Sequence, residues 1–245
     1  MAEWSKRRNW QIARACLRDS RWVIELDEKP LRTPANKFVA LPTFASAALV
    51  AREWDGQKGI LRPESMPFTK LAISAVDEVA PSRERAAASI SGYGAADLIC
   101  YKAESPPDLV ERQEYAWRRP LDWCEDEIGA KLNTTQGVAF VAQPPSSLSR
   151  LKEAVANLNE FELAALFELV SLTGSLVLGL AIERGFMRVD EAWRASRVDE
   201  DWQLEKWGHD AEAIATSESR KQDMKIAFEF LEATRNKNGD RTNAI

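Results

Sequence analysis

The chain has 245 residues, of which 45% are apolar and 29% charged, and carries a net charge of −5. That balance supports a sizeable core in one large domain or two smaller ones and excludes a compositionally disordered chain. A surface of that sign offers no footprint for phosphate backbones or anionic lipid, so nucleic acid and membrane are disfavoured as partners.

The first residues are basic through Lys6, Arg7, Arg8 and Arg14, but Glu3, Asp19 and the strand-like sequence that follows argue against a presequence. Trp22, Ile24 and Leu26 alternate with Val23 and Glu25, the period of a short strand, and Arg18-Asp19-Ser20 and Asp27-Glu28-Lys29-Pro30 supply turn chemistry on either side. A meander of residues 11–17, 22–26 and either 31–33 or 38–41 is expected. A helix follows Pro42, with the Thr43 hydroxyl as its cap, and runs to Gly56. From Ser65 onward the pattern is helix after helix. Pro81 ends one segment and opens the next, and Ser105-Pro106-Pro107 is a loop. Residues 108–128 are helical, with Pro120 forcing a kink or break; residues 131–141 are strand or irregular, and Gln143-Pro144-Pro145 is a loop.

Ser146 or Ser147 caps the next helix, which carries Leu148, Leu151, Val155 and Leu158. Asn159 then caps one long apolar helix over 160–184 that Gly185 ends. Glu162 and Glu168 argue against a membrane span there, so this helix is expected to be the central post of a bundle, with Gly174, Ser175 and Gly179 admitting close neighbours. Asp190 caps a helix to Trp207, and a last helix spans 210–234. The predicted fold is α+β. A small N-terminal sheet-containing domain over 1–80 precedes a larger all-helical, orthogonal bundle over 81–235, and 236–245 is a frayed tail.

Most catalytic chemistry fails on inventory. Cys16, Cys100 and Cys124 are far apart and odd in number, which is neither a disulfide framework nor a zinc pattern and suits a reducing compartment. The single histidine, His209, follows a helix-ending Gly208, where a cation meets the helix dipole. No phosphate-binding glycine loop of either common type is present, and Ser91-Gly92-Tyr93-Gly94 reads as a turn. The acidic run Glu125-Asp126-Glu127 reads as a solvated face. Trp54, Trp117 and Trp123 sit on patterned helix faces, as core residues do.

Asp199-Glu200-Asp201 differs because of its neighbours. At about 100° per residue, Trp193, Arg197, Glu200, Leu204 and Trp207 fall within a narrow arc of one helix. One reading is an Arg197–Glu200 pair at the edge of the core. The other is a recognition surface of aromatic anchors with a fixed charge pair.

Several phrases occur together and in order: Leu26-Asp27-Glu28-Lys29-Pro30-Leu31-Arg32-Thr33-Pro34; Glu53-Trp54-Asp55-Gly56-Gln57; Met66-Pro67-Phe68-Thr69; Asp97-Leu98-Ile99-Cys100-Tyr101; Ser175-Leu176-Val177-Leu178; and Ser196-Arg197-Val198-Asp199-Glu200-Asp201-Trp202-Gln203-Leu204-Glu205-Lys206-Trp207-Gly208. The set resembles the F1-ATPase alpha-subunit assembly chaperone family and covers most of the chain. The resemblance implies a non-enzymatic chaperone without cofactor that holds the free alpha subunit of the ATP synthase F1 sector until beta subunits join it. It places a bacterial member in the cytoplasm and eukaryotic relatives in the mitochondrial matrix. It implies partner-binding roles for Glu200, Arg197, Trp207, Trp193 and Leu204, with Trp54 and Asp55 in a second distinctive phrase. Two other readings are weighed beside it: a carboxylate-dependent hydrolase or lyase using Glu200 with Asp201 or Asp210, and a general holdase.

Overall fold

A computed structural model describes residues 7–208 and 211–235. His209, Asp210 and the tail over 236–245 lie outside the described residues. Two short turns build the N-terminal sheet. Asp19 and Ser20 (φ 48° and 63°) join β1 (Ala13–Arg18) to β2 (Arg21–Leu26), and Asp27 and Glu28 (φ 47° and 71°) join β2 to β3 (Lys29–Pro30). Positive φ at both central residues gives the twist that an antiparallel hairpin needs, and a short polar Asp tolerates it. The register Arg18↔Arg21 and Leu26↔Lys29 leaves two residues in each loop. β4 (Ala40–Leu41) pairs with β2 through Trp22↔Leu41, and the bridge Arg32↔Phe38 extends that connection.

β2 is the central strand, which explains where the alternation breaks down. Val23 and Glu25 are buried along with Trp22 and Ile24. Glu25 is tolerable there because Arg18 and Arg14 reach it, Arg18 donating two N–H groups to Oε1 and Arg14 one to Oε2 at 3.4 Å. α1 (Phe44–Gly56) begins where the Thr43 hydroxyl accepts from the Ser46 amide at 3.1 Å, as its cap position predicts. The Phe44 ring meets Trp22 edge-on at 4.9 Å. The start of α2 (Pro67–Ser74) has no cap from the residue before it. Ser65 bonds back to Arg62, and the orphan amides of Phe68 and Thr69 are taken by the Glu53 carboxylate of α1 at 2.8 and 2.7 Å. Residues 159–165 and 229–235 belong to the same compact unit as residues 7–83. Within it Phe230 sits 6.5 Å from both Phe68 and Phe161, and Arg235 pairs with Glu162 at 2.7 Å.

The second compact unit holds residues 84–158 and 166–228 and is helical, apart from a two-residue parallel pair of β5 (Tyr101–Lys102) and β6 (Thr135–Gln136). α3 (Arg83–Gly92) leads to α4 (Pro107–Trp123), which passes through Pro120 unbroken and then loosens into a π-turn over Cys124–Ile128 that Gly129 (φ 73°) closes. α5 (Pro145–Ala156) starts at Pro144, so neither Ser146 nor Ser147 caps it. The Ser147 hydroxyl instead donates to the Lys131 carbonyl at 2.5 Å.

The expected helix over 160–184 is two helices. α6 (Glu160–Thr173) is capped by Asn159, whose Oδ1 accepts from the Phe161 and Glu162 amides at 2.9 and 3.0 Å. It stops at Gly174, whose left-handed φ of 68° fits a helix C-terminus. α7 (Leu176–Glu183) restarts on Ser175, whose Oγ accepts from Leu178 at 3.0 Å, and every residue of α7 is buried. The central post is therefore α7. The fold is α+β, with a small sheet region followed by a larger helical one. Among the described residues no helix is long and apolar enough to cross a membrane.

Candidate functional site

The expected helix over 190–207 also divides. α8 (Val189–Ser196) and α9 (Val198–Trp207) meet at Arg197, whose φ of −122° and ψ of 18° are not helical. The break turns the single stripe into a layered arrangement around Arg197. Trp193 lies inside, 6% exposed, with the Arg197 guanidinium 5.4 Å from the centre of its ring. On the outer side Arg197 pairs with Glu200 at 3.8 Å and with Asp201 at 3.5 Å, and both carboxylates are about half exposed. Asp199, Glu200 and Asp201 occupy the first turn of α9, where the helix dipole favours negative charge.

α9 is pinned to α4 by its other face. The buried Gln113 amide donates to Asp199 at 2.5 Å and its oxygen accepts from Ala103 at 2.7 Å. Trp202, nearly buried, donates its indole N–H to Asp108 at 2.9 Å. That hydrogen bond, with Lys206 at 3.2 Å, holds the Asp108 carboxyl below its ordinary range. Arg112 does the same for Glu205 at 2.8 Å. Trp117, 1% exposed, donates to the Ala195 carbonyl at 2.7 Å and so fixes the end of α8. These ties leave Leu204 half-buried and Trp207 75% exposed, its ring edge-on to Trp202 at 5.8 Å. The result is an acidic helix held rigidly from behind, with one large aromatic ring presented to solvent.

Trp54 and Asp55 belong to the sheet-bearing unit and are placed differently. Trp54 is 4% exposed and packs its ring 5.2 Å from that of Trp10. Asp55 receives the Arg8 guanidinium at 3.2 Å and the Ala13 amide at 3.4 Å, which tethers the segment before β1 to α1.

The crystal structure of Atp12 from Paracoccus denitrificans superimposes with a TM-score of 0.90. It is 41% identical in sequence and covers 95% of this chain and 100% of its own. The chain belongs to the ATP12 chaperone family. An aspartate-to-lysine mutant of the same Paracoccus protein matches with a TM-score of 0.91 at 40% identity, over 96% of this chain and 100% of that one. The sequence model for the ATP12 chaperone protein matches residues 7–125. "Protein atp12, mitochondrial" of Schizosaccharomyces pombe is 24% identical over 216 residues, covering 83% of this chain and 74% of its own length.

For an ATP12-family member, one side chain stands out that the sequence reading left without a role. Asp97, in one of the six quoted phrases, is completely buried. It accepts from the Ile99 amide at 3.3 Å and from the Val177 amide at 3.0 Å, so it closes the start of α7 from 80 residues away. Burial raises its carboxyl to about 6 despite these bonds and the one from Ser175. Burial also raises the Cys100 and Cys124 thiols, Cys124 to about 12, which keeps both protonated and unreactive. No group of three or more potential metal ligands occurs among the described residues.

Proposed function

We propose that this chain is an assembly chaperone for the F1 sector of ATP synthase, which binds the free alpha subunit and covers its beta-contacting face until beta arrives. Membership of the ATP12 chaperone family supports the class. The observation that carries the site is the exposed acidic face of α9, where Glu200 is 53% and Trp207 75% exposed on a helix fixed from behind. Surfaces destined for an obligate interface run to roughly 2,000 Å² or more and are apolar, so a lone alpha subunit is prone to aggregate. Capture without ATP must be firm yet reversible by the proper neighbour. An aromatic anchor gives area, and a few fixed charges give selectivity and on-rate. Glu200, Asp201, Leu204 and Trp207 supply that combination, with Arg197 positioning the carboxylates. The chaperone acts where F1 is assembled, which is the cytoplasm in a bacterium.

Co-purification with isolated alpha and beta subunits tests the proposal. Alpha is retained, beta is not, and added beta releases alpha. Retention of neither subunit, or of both alike, would sink it, and retention of unrelated unfolded proteins would turn it into a general holdase. Glu200→Lys is expected to lower alpha capture by about tenfold while the melting temperature holds; parallel loss of fold and capture would reduce Glu200 to a packing role.

A further inference from the structure

Away from α9, the outer face of α4 borders a groove of about 1150 Å³, larger than the roughly 300–1,000 Å³ of small-molecule pockets. Its floor is aromatic. Trp123 and Phe186 stack at 5.1 Å with ring planes 15° apart, and the Arg119 guanidinium covers Phe186 at 4.7 Å. Tyr115 stands at its margin, 90% exposed.

The charge around this floor is unbalanced. Two of the three cations of the lining are paired with carboxylates, Lys102 with Glu114 and Arg118 with Asp122 at 3.7 Å, while Arg119 lies over the Phe186 ring and keeps its charge. Four carboxylates of the lining, Glu104, Glu111, Asp126 and Glu127, have no basic partner among the described residues. The π-turn after α4 brings two of them there, since Asp126 and Glu127 lie within Cys124–Ile128; such turns recur at functional sites. An apolar floor with surplus negative charge repels anions and selects a cation that also carries apolar surface.

We propose that this groove is a second docking site, which takes a lysine- or arginine-bearing segment of a partner protein and rests an apolar side chain of that segment against Tyr115 and the exposed part of Phe186. The volume suits a run of several residues, and the surplus of three negative charges, six carboxylates against three cations in the lining, supplies the charge complement. The chaperone reading is needed only to name that partner as the client.

Two arms separate the inference from that reading. In the first, a short fluorescein-labelled peptide alternating lysine and leucine is titrated against the intact protein and followed by anisotropy, beside its glutamate–leucine counterpart. Saturable binding of the basic peptide is expected, about tenfold tighter than the acidic one. It is lost in Glu111→Lys/Asp126→Lys and in Tyr115→Ser and kept in Glu200→Lys, with all melting temperatures unchanged. Equal binding of the two peptides, or binding indifferent to the groove substitutions, overturns the proposal. In the second arm the Glu111→Lys/Asp126→Lys protein is tested for alpha-subunit capture, which is expected to fall about tenfold. Wild-type capture with undiminished variant capture removes the client from the groove while the assembly function stands. Failure of the wild type itself removes the assembly function and leaves the peptide arm to decide the groove. Self-association of the chain that these substitutions abolish, without peptide binding, would give the groove to a second copy and overturn the proposal.

Discussion

Replacing Asp97 with asparagine and following stability against pH is the sharpest physical test the molecule offers. The carboxyl is fully buried and titrates at about 6, against an ordinary value of 3.8. That difference is worth about 3 kcal/mol at about 1.36 kcal/mol per pH unit. Because the folded state binds this proton more tightly than the unfolded chain, the contribution is full below the ordinary value and is lost as pH rises through 6. Between pH 7 and pH 5 the wild type should therefore gain about 1.3 kcal/mol from Asp97 alone. Other carboxylates mask the gain in the raw curve, since Glu25 and Asp27 are held below their ordinary range and act in the opposite sense. Asp97→Asn removes only the Asp97 contribution. Its amide can replace one oxygen but opposes the second donor, either the Ile99 or the Val177 N–H. That places the variant roughly 1–3 kcal/mol below the wild type at neutral pH. Urea midpoints of both proteins at several pH values between 7.5 and 4 give the difference directly. The gap should widen on acidification. A gap that stays constant, or narrows, would refute a buried carboxyl that takes up its proton near 6.

Four further substitutions separate packing from capture. Gly179→Ala puts a Cβ 2.6 Å from Val170 Cγ2 and 3.3 Å from Leu166 Cδ1, an overpacking expected to cost about 1–3 kcal/mol of stability and to lower the urea midpoint accordingly; an unchanged midpoint would mean that α6 and α7 separate freely. Trp117→Phe removes the N–H that satisfies the Ala195 carbonyl and leaves a void, with an expected loss of about 2–4 kcal/mol and a clear change in near-UV dichroism. Trp207→Ala gives up only an edge contact with Trp202, about 0.5–1.5 kcal/mol, yet should depress alpha capture strongly. Trp193→Ala should do the reverse, costing about 3–5 kcal/mol of fold stability. Proportional losses of fold and capture in both tryptophan variants would make Trp207 one more packing residue.

What could be read from the chain was local. Asp19-Ser20 and Asp27-Glu28 mark tight turns, and Thr43 and Asn159 cap the helices that follow them, because each device acts within a few residues of itself. The two broken helices were hidden for opposite reasons. At Gly174-Ser175 the stop and cap signals were present, but the apolar stretches on either side masked them. At Arg197 neither glycine nor proline marks the break, which lies between two long-range ties, Trp117 to the Ala195 carbonyl and Gln113 to Asp199. Caps supplied from a distance, Asp97 for α7 and Glu53 for α2, leave no pattern in the helix they serve. At the candidate site, periodicity grouped Trp193, Arg197, Glu200, Leu204 and Trp207 but could not tell which tryptophan is covered. Trp fills cores and interfaces alike, and burial is decided by neighbours far along the chain.

The arginine at the junction of α8 and α9 grips two acidic residues, so each carboxylate stands in reserve for the other. If an incoming ammonium or guanidinium draws Glu200 away, Asp201 still neutralises Arg197, so the exchange strands no positive charge above the covered indole beneath it. The charge balance at this junction therefore survives the loss of either carboxylate from the arginine.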